Sequence, residues 1–184
     1  MKRDEAETLV KQHVNGDFLL KHMYATEAIM KAAGHYLKED AEMWALCGLL
    51  HDIDYEKTKE NPVMHGVIAQ EVLKDKGLPA EILRAILAHN SMIENPVARN
   101  AKIEHMLVAA DSMTGLIIAC AMVKGKKLEN VSEDSVKNAF KKKGFAQGSK
   151  RENIMECEKA GIQYDKFVEI SLAAMKEIAG KLGL

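Results

Sequence analysis

Proline is scarce in this chain, three in 184 residues, and β-branched residues nowhere alternate with polar ones over a useful length. Few prolines leave helices unbroken, and the missing alternation removes the signature of a strand. Cysteine is also rare. Cys47, Cys120 and Cys157 are an odd number without CxxC spacing, which excludes a disulfide framework and a zinc knuckle. They read as buried thiols in a reducing compartment. Neither charge sign is in excess, with 26 basic and 27 acidic residues, so nothing calls for a nucleic-acid polymer or an anionic membrane as partner. No uncharged run reaches the roughly 18 residues of a membrane span. The opening Met1-Lys2-Arg3-Asp4-Glu5-Ala6-Glu7 is too acidic and polar for a secretion signal, making the cytoplasm the expected address.

What is present is helical. Eleven methionines suit helices, where a straight flexible side chain loses little freedom. The expected fold class is all-α. Helices are expected at about Asp4–Val14, Asp17–Gly34, Asp40–Asp54, Pro62–Lys76, Pro79–Asn90, Val97–Val123, Glu133–Lys142, Arg151–Ala160 and Tyr164–Leu182. Two starts are marked by Asn61-Pro62 and Asn95-Pro96, Asn as cap and Pro at the first helical position. Met106, Met113 and Met122 read as a core stripe filling gaps between helices. Without a repeat, a low-complexity tract or a linker, residues 1–184 are expected to form one domain.

The chain is organised around Gly48-Leu49-Leu50-His51-Asp52-Ile53-Asp54, where an apolar helix delivers a His and an Asp side by side. Adjacent helical residues point roughly 100° apart, so these two share a target only near the helix end. A cation cupped there meets that requirement. His22, His65, His89 and Asp111 supply further donors, each in its own apolar helical pattern. Imidazoles mixed with carboxylates suit Fe²⁺, Mn²⁺, Co²⁺, Ni²⁺ or Zn²⁺ better than an all-oxygen site would. His13, His35 and His105 have no matching context and read as structural.

The order His22, His51-Asp52, His65, His89, Asp111 resembles the HD-domain superfamily of metal-dependent phosphohydrolases. Leu49-Leu50-His51-Asp52-Ile53 looks like its HD motif, and His65-Gly66-Val67-Ile68-Ala69 like the following His segment. Ala85-Ile86-Leu87-Ala88-His89 looks like the next, and Ala109-Ala110-Asp111 like the distal Asp. The resemblance implies an all-α bundle with a metal-binding core at about 15–120, followed by a basic C-terminal helical extension at about 124–184. It implies that His22, His51, Asp52 and Asp111 hold one metal, with Asp52 bridging to a second on His65 and His89. The implied reaction is hydrolysis of a phosphate ester or anhydride of a small metabolite, a nucleotide first, by water whose pKa a metal lowers toward about 7. Mg²⁺ can accompany such a substrate. Asp54 and Glu56 are candidate supporting carboxylates or proton acceptors beside Asp52.

The departures from that pattern are specific. Asp54 and Tyr55 stand where many relatives carry Gly and Lys, which removes a phosphate-binding cation. His89 is followed by Asn90, and the Gly-Tyr-Pro of the cyclic-dinucleotide branch is absent. The segment Lys141–Arg151 is strongly basic and carries Gly144 and Gly148. It is either a solvated face or a phosphate site, with Lys143, Lys150 and Arg151 supplying charge and Asn90 and Arg99 facing the same pocket. The leading expectation is a phosphohydrolase acting on a small phosphorylated molecule, as a monomer or homodimer. The alternatives are a regulatory module that binds metal and nucleotide without turnover, and a purely structural helical partner protein.

Overall fold

The computed structural model describes residues 1–94 and 96–184. The described chain is all-α. Its helices are α1 (Arg3–His13), α2 (Asp17–Leu37), α3 (Ala41–Leu50), α4 (Tyr55–Thr58), α5 (Val67–Leu73), α6 (Ala80–His89), α7 (Lys102–Val123), α8 (Glu133–Lys141), α9 (Arg151–Ile154), α10 (Glu156–Ala160), α11 (Tyr164–Glu177) and α12 (Ala179–Leu182). Three-residue turns at Pro62–Met64 and Leu128–Asn130 complete it, and no strand occurs among the described residues.

Several boundaries differ from the sequence expectation. Helix α2 continues through Gly34 to Leu37. Helix α3 stops at Leu50, and the next residues tighten, with Ile53 N donating to Leu50 O and Tyr55 N to Asp52 O. Helix α7 begins at Lys102 instead of Val97, because Glu104 accepts from the amides of Asn100 and Ala101 and fixes the start there. The expected cap at Asn95 lies outside the described residues. The segment expected as Pro62–Lys76 is a tight turn and a shorter α5, broken at Gly66, whose φ of 81° is costly for other residues. The last two expected helices are each interrupted, at Met155 and at Ile178.

Helix α7 runs through the core. It has the length and apolarity of a membrane-crossing helix, yet 72% of its apolar window is buried inside the bundle. Met106 and Met113 are fully buried, but Met122 is exposed because it lies near the end of α7, past the packed core. The stripe therefore holds for two of its three members.

One junction sets the register of α2, α3 and α7. Gly48 on α3 lies so close to α2 that a Cβ there would sit 2.8 Å from Thr26 O. The Thr26 hydroxyl donates to His22 O at 3.0 Å and lies 3.3 Å from the Thr114 hydroxyl on α7. His22 and Asp111 come about one turn before Thr26 and Thr114, and His51 about one turn after Gly48. A second approach, Gly66 against the Ile86 carbonyl of α6, brings His65 toward His89.

Candidate metal centre

The six predicted donors arrive from α2, the end of α3, the turn before α5, the end of α6 and the middle of α7. Their side chains form two groups joined by one carboxylate. In the first, His22 Nε2 lies 3.3 Å from His51 Nε2, 3.7 Å from Asp52 Oδ2 and 3.1 Å from Asp111 Oδ1. His51 Nε2 lies 3.4 Å from Asp52 Oδ1 and 4.0 Å from Asp111 Oδ1. In the second, His65 Nε2 and His89 Nε2 are 2.9 Å apart, and 3.3 and 3.7 Å from Asp52 Oδ1. Ligands bound at about 2.0–2.2 Å around one ion stand roughly 3 to 3.5 Å apart, so this spacing and donor chemistry fit a divalent metal.

Second contacts aim three of the imidazoles. His51 Nδ1 lies 2.8 Å from Gly48 O, which makes it the N–H donor and leaves Nε2 as the free lone pair. His89 Nδ1 contacts Ile86 O in the same way. His65 Nδ1 lies 2.8 Å from Asp54 Oδ1, while Asp54 Oδ2 accepts from the amides of Gly66 and Ala69, each at 2.8 Å.

Burial and charge set the protonation states. Burial pushes His51 down to about 4, so it is neutral and ready to ligate at ordinary pH. Burial also opposes a charge on His65, but the carboxylates of Asp52 and Asp54 outweigh it and raise the imidazole to about 10. Asp52, despite burial, is held well below the usual carboxylate range by the imidazoles gathered around it, those of His51, His65, His89 and His22. Asp111 is lowered too, its burial outweighed by the hydrogen bond from His22. The site opens on the Asp111 side, where 35% of that side chain is exposed against none of His51.

The other candidates are placed differently. Asp54 is fully buried and holds His65 and the start of α5, so it is a positioning residue with no free oxygen to take a proton. Glu56 accepts from the Asn15 amide at 3.0 Å and the Gly16 amide at 2.7 Å, which lowers its pKa and commits it to the α1–α2 connection. A carboxylate so engaged makes a poor base, which corrects its expected catalytic role. Asn90 is buried, donates to Pro62 O and His65 O, and accepts from Met92 N. It locks the loops beside the site and has no group left for phosphate.

Arg151 is a further correction. Its guanidinium donates to the carbonyls of Ala139, Phe140, Lys142, Phe145, Ala146 and Ser149. The basic loop is wrapped around it, and none of its five N–H donors remains for a ligand. Lys143 and Lys150 on the same loop are exposed. Ser149 places the loop against α7, its hydroxyl 2.6 Å from where a Cβ on Gly115 would be, one turn beyond Asp111. Arg99 donates to Ala88 O and lies 3.5 Å from Glu156, which also takes His105 at 2.6 Å. His13 lies 3.3 Å from Lys57 Nζ, and His35 is exposed on α2.

Sequence reasoning missed Gly48, Thr26 and Thr114, the residues that set the register of the donors. A Gly three residues before the His of the pair was the available signal. It also missed that Asp54 serves His65, although the eleven-residue separation is visible in the sequence. A groove of about 590 Å³ between α2 and α11 contains none of the donors, and two of the ion pairs along it are Arg3 with Glu27 and Lys31 with Glu42.

A family model described as HD domain matches residues 19–122, more than half of the chain. The chain belongs to the HD domain family. HD domains bind divalent metals and form a superfamily of metal-dependent phosphohydrolases, in agreement with the donor set brought together here. Searches of curated proteins and of solved structures returned no match.

Proposed function

We propose that this HD domain is a phosphohydrolase with a two-ion centre, cleaving a phosphate ester or anhydride of a small metabolite, nucleotides first among them. His22, His51, Asp52 and Asp111 would hold one ion, and Asp52, His65 and His89 the other. The observation that carries the proposal is Asp52 Oδ1, 3.4 Å from His51 Nε2 and 3.3 Å from His65 Nε2, one oxygen shared by both donor groups. Divalent ions supply positive charge for phosphate oxygens and acidify a water for attack.

The protein's part is positioning. Gly48 O, Asp54 and Ile86 O hold three imidazoles in the tautomer that presents Nε2. The largely buried carboxylate of Asp52 keeps its charge because four histidines surround it. Lys143 and Lys150 stand exposed on a loop that Arg151 braces and that Ser149 seats against Gly115, one turn along α7 from Asp111, and they would offer positive charge to a substrate phosphate.

Screening anaerobically purified, metal-loaded protein on nucleoside mono-, di- and triphosphates, dinucleoside polyphosphates and cyclic dinucleotides tests the reading. Turnover abolished by Asp52→Ala supports it. Tight binding of a nucleotide that stays intact would replace it with a regulatory module.

A further inference from the structure

Four large apolar side chains stand in solvent on the segments that carry the donors, each within four residues of one of them. Phe18 is 72% exposed and four residues before His22; Met92 is 55% exposed and three after His89. Tyr55 and Val63 are each 45% exposed, three residues after Asp52 and two before His65. Burial of large hydrophobic residues is otherwise the rule in this chain, and the remaining exposed ones, Tyr36, Met122 and Val123, lie on other stretches.

Hydrogen bonds join these four segments into one rim. Glu56, next to Tyr55, binds the amides of Asn15 and Gly16 and so ties Tyr55 to the start of α2, where Phe18 lies. The Tyr55 ring meets the His65 ring edge-on, with centroids 5.7 Å apart at 90°. Asn90 bonds Pro62 O and His65 O with its amide and Met92 N with its oxygen, which sets the Val63 and Met92 loops side by side.

Exposed apolar groups gathered at one place mark a binding surface, whereas scattered ones need no explanation. The only polar side-chain atom among the four is the Tyr55 hydroxyl, so a sugar or another polyol finds little to bond. A flat ring finds two aromatic faces and a polarisable thioether.

We infer that Phe18, Tyr55, Val63 and Met92 form an apolar collar that holds a planar aromatic group borne by the substrate phosphate. The inference rests on the phosphohydrolase reading, since it takes the donors as the place where the phosphate is held. It adds the chemical class of the organic part, an aromatic ring bound by contact and not by hydrogen bonding.

Calorimetric titration of the metal-loaded full chain with methyl-, phenyl- and 1-naphthylphosphonate tests the collar without requiring turnover. Phenylphosphonate is expected to bind about tenfold more tightly than methylphosphonate, the scale of burying most of one face of a ring, and naphthylphosphonate more tightly still. Phe18→Ser and Met92→Ser should shrink that ratio toward one, with metal content and methylphosphonate affinity unchanged. Equal affinities for all three compounds would overturn the collar and leave the metal–phosphate reading standing. Binding of none of them by fully metal-loaded protein would overturn both.

Discussion

Asp54 and His65 form a closed pair: one carboxylate oxygen accepts from the imidazole Nδ1 at 2.8 Å, and the other accepts the Gly66 and Ala69 amides. The same residue thus starts α5 and points a metal donor. Asp54→Asn keeps the volume but places an NH₂ against groups that donate, so the His65 tautomer is no longer enforced. Affinity for the ion on the His65 side should fall about 10- to 100-fold. Competition with a chelating indicator would read this, and an unchanged affinity would remove Asp54 from the account.

The protonation states give a pH dependence. His65, raised to about 10, carries a proton in the metal-free protein at neutral pH, whereas His51, lowered to about 4, does not. Metal must displace the His65 proton, so binding should release protons into a weakly buffered solution and tighten as pH rises. For the metal-free fold, His65 contributes stability that is full below its unfolded value of about 6.5 and lost as pH rises through about 10. The His51 contribution has the opposite course: full above about 6.5 and lost as pH falls through about 4. Chemical denaturation of metal-free protein across that range should show Asp54→Asn flattening the alkaline limb. An alkaline limb identical to that of the wild type would contradict the assignment.

Gly48→Ala tests the register. A Cβ there would sit 2.8 Å from Thr26 O and 2.9 Å from Glu27 N, backbone atoms that cannot step aside alone. We expect about 1–3 kcal/mol of lost stability from overpacking, a drop of several degrees in Tm, and weaker metal binding because His51 moves relative to His22. A variant with wild-type Tm and metal content would show that α2 and α3 need not pack this closely.

The basic loop separates two roles by mutation. Arg151→Met strips the carbonyl cage of its donor and should destabilise the fold by about 3 kcal/mol or more. Lys143→Ala with Lys150→Ala should leave Tm within a degree or two and raise KM for a phosphorylated substrate several-fold, with kcat little changed. A fall in kcat at unchanged KM would move these lysines from binding to chemistry.

The helical class and the choice of the six His and Asp side chains that meet were legible because periodicity and residue type are local properties of the sequence. What escaped is set by how separate elements meet. Arg151 reads as free charge in sequence, yet the bend after α8 turns six carbonyls toward it. Glu56 and Asn90 look like site residues because they lie beside donors, but each is taken up by backbone groups from a distant segment. The start of α7 was misplaced because Pro96 marks a plausible first turn, while Glu104 supplies the actual one. Proximity in sequence to a ligand does not say which way a side chain is already engaged.

Asp52 is common to two donor groups, and elemental analysis of anaerobically purified protein puts that sharing to the test. Two divalent ions per chain are expected in the wild type, one after His65→Ala, and neither held stoichiometrically after Asp52→Ala. Wild-type protein without stoichiometric metal, or an Asp52→Ala variant that is folded and keeps both ions, would contradict it.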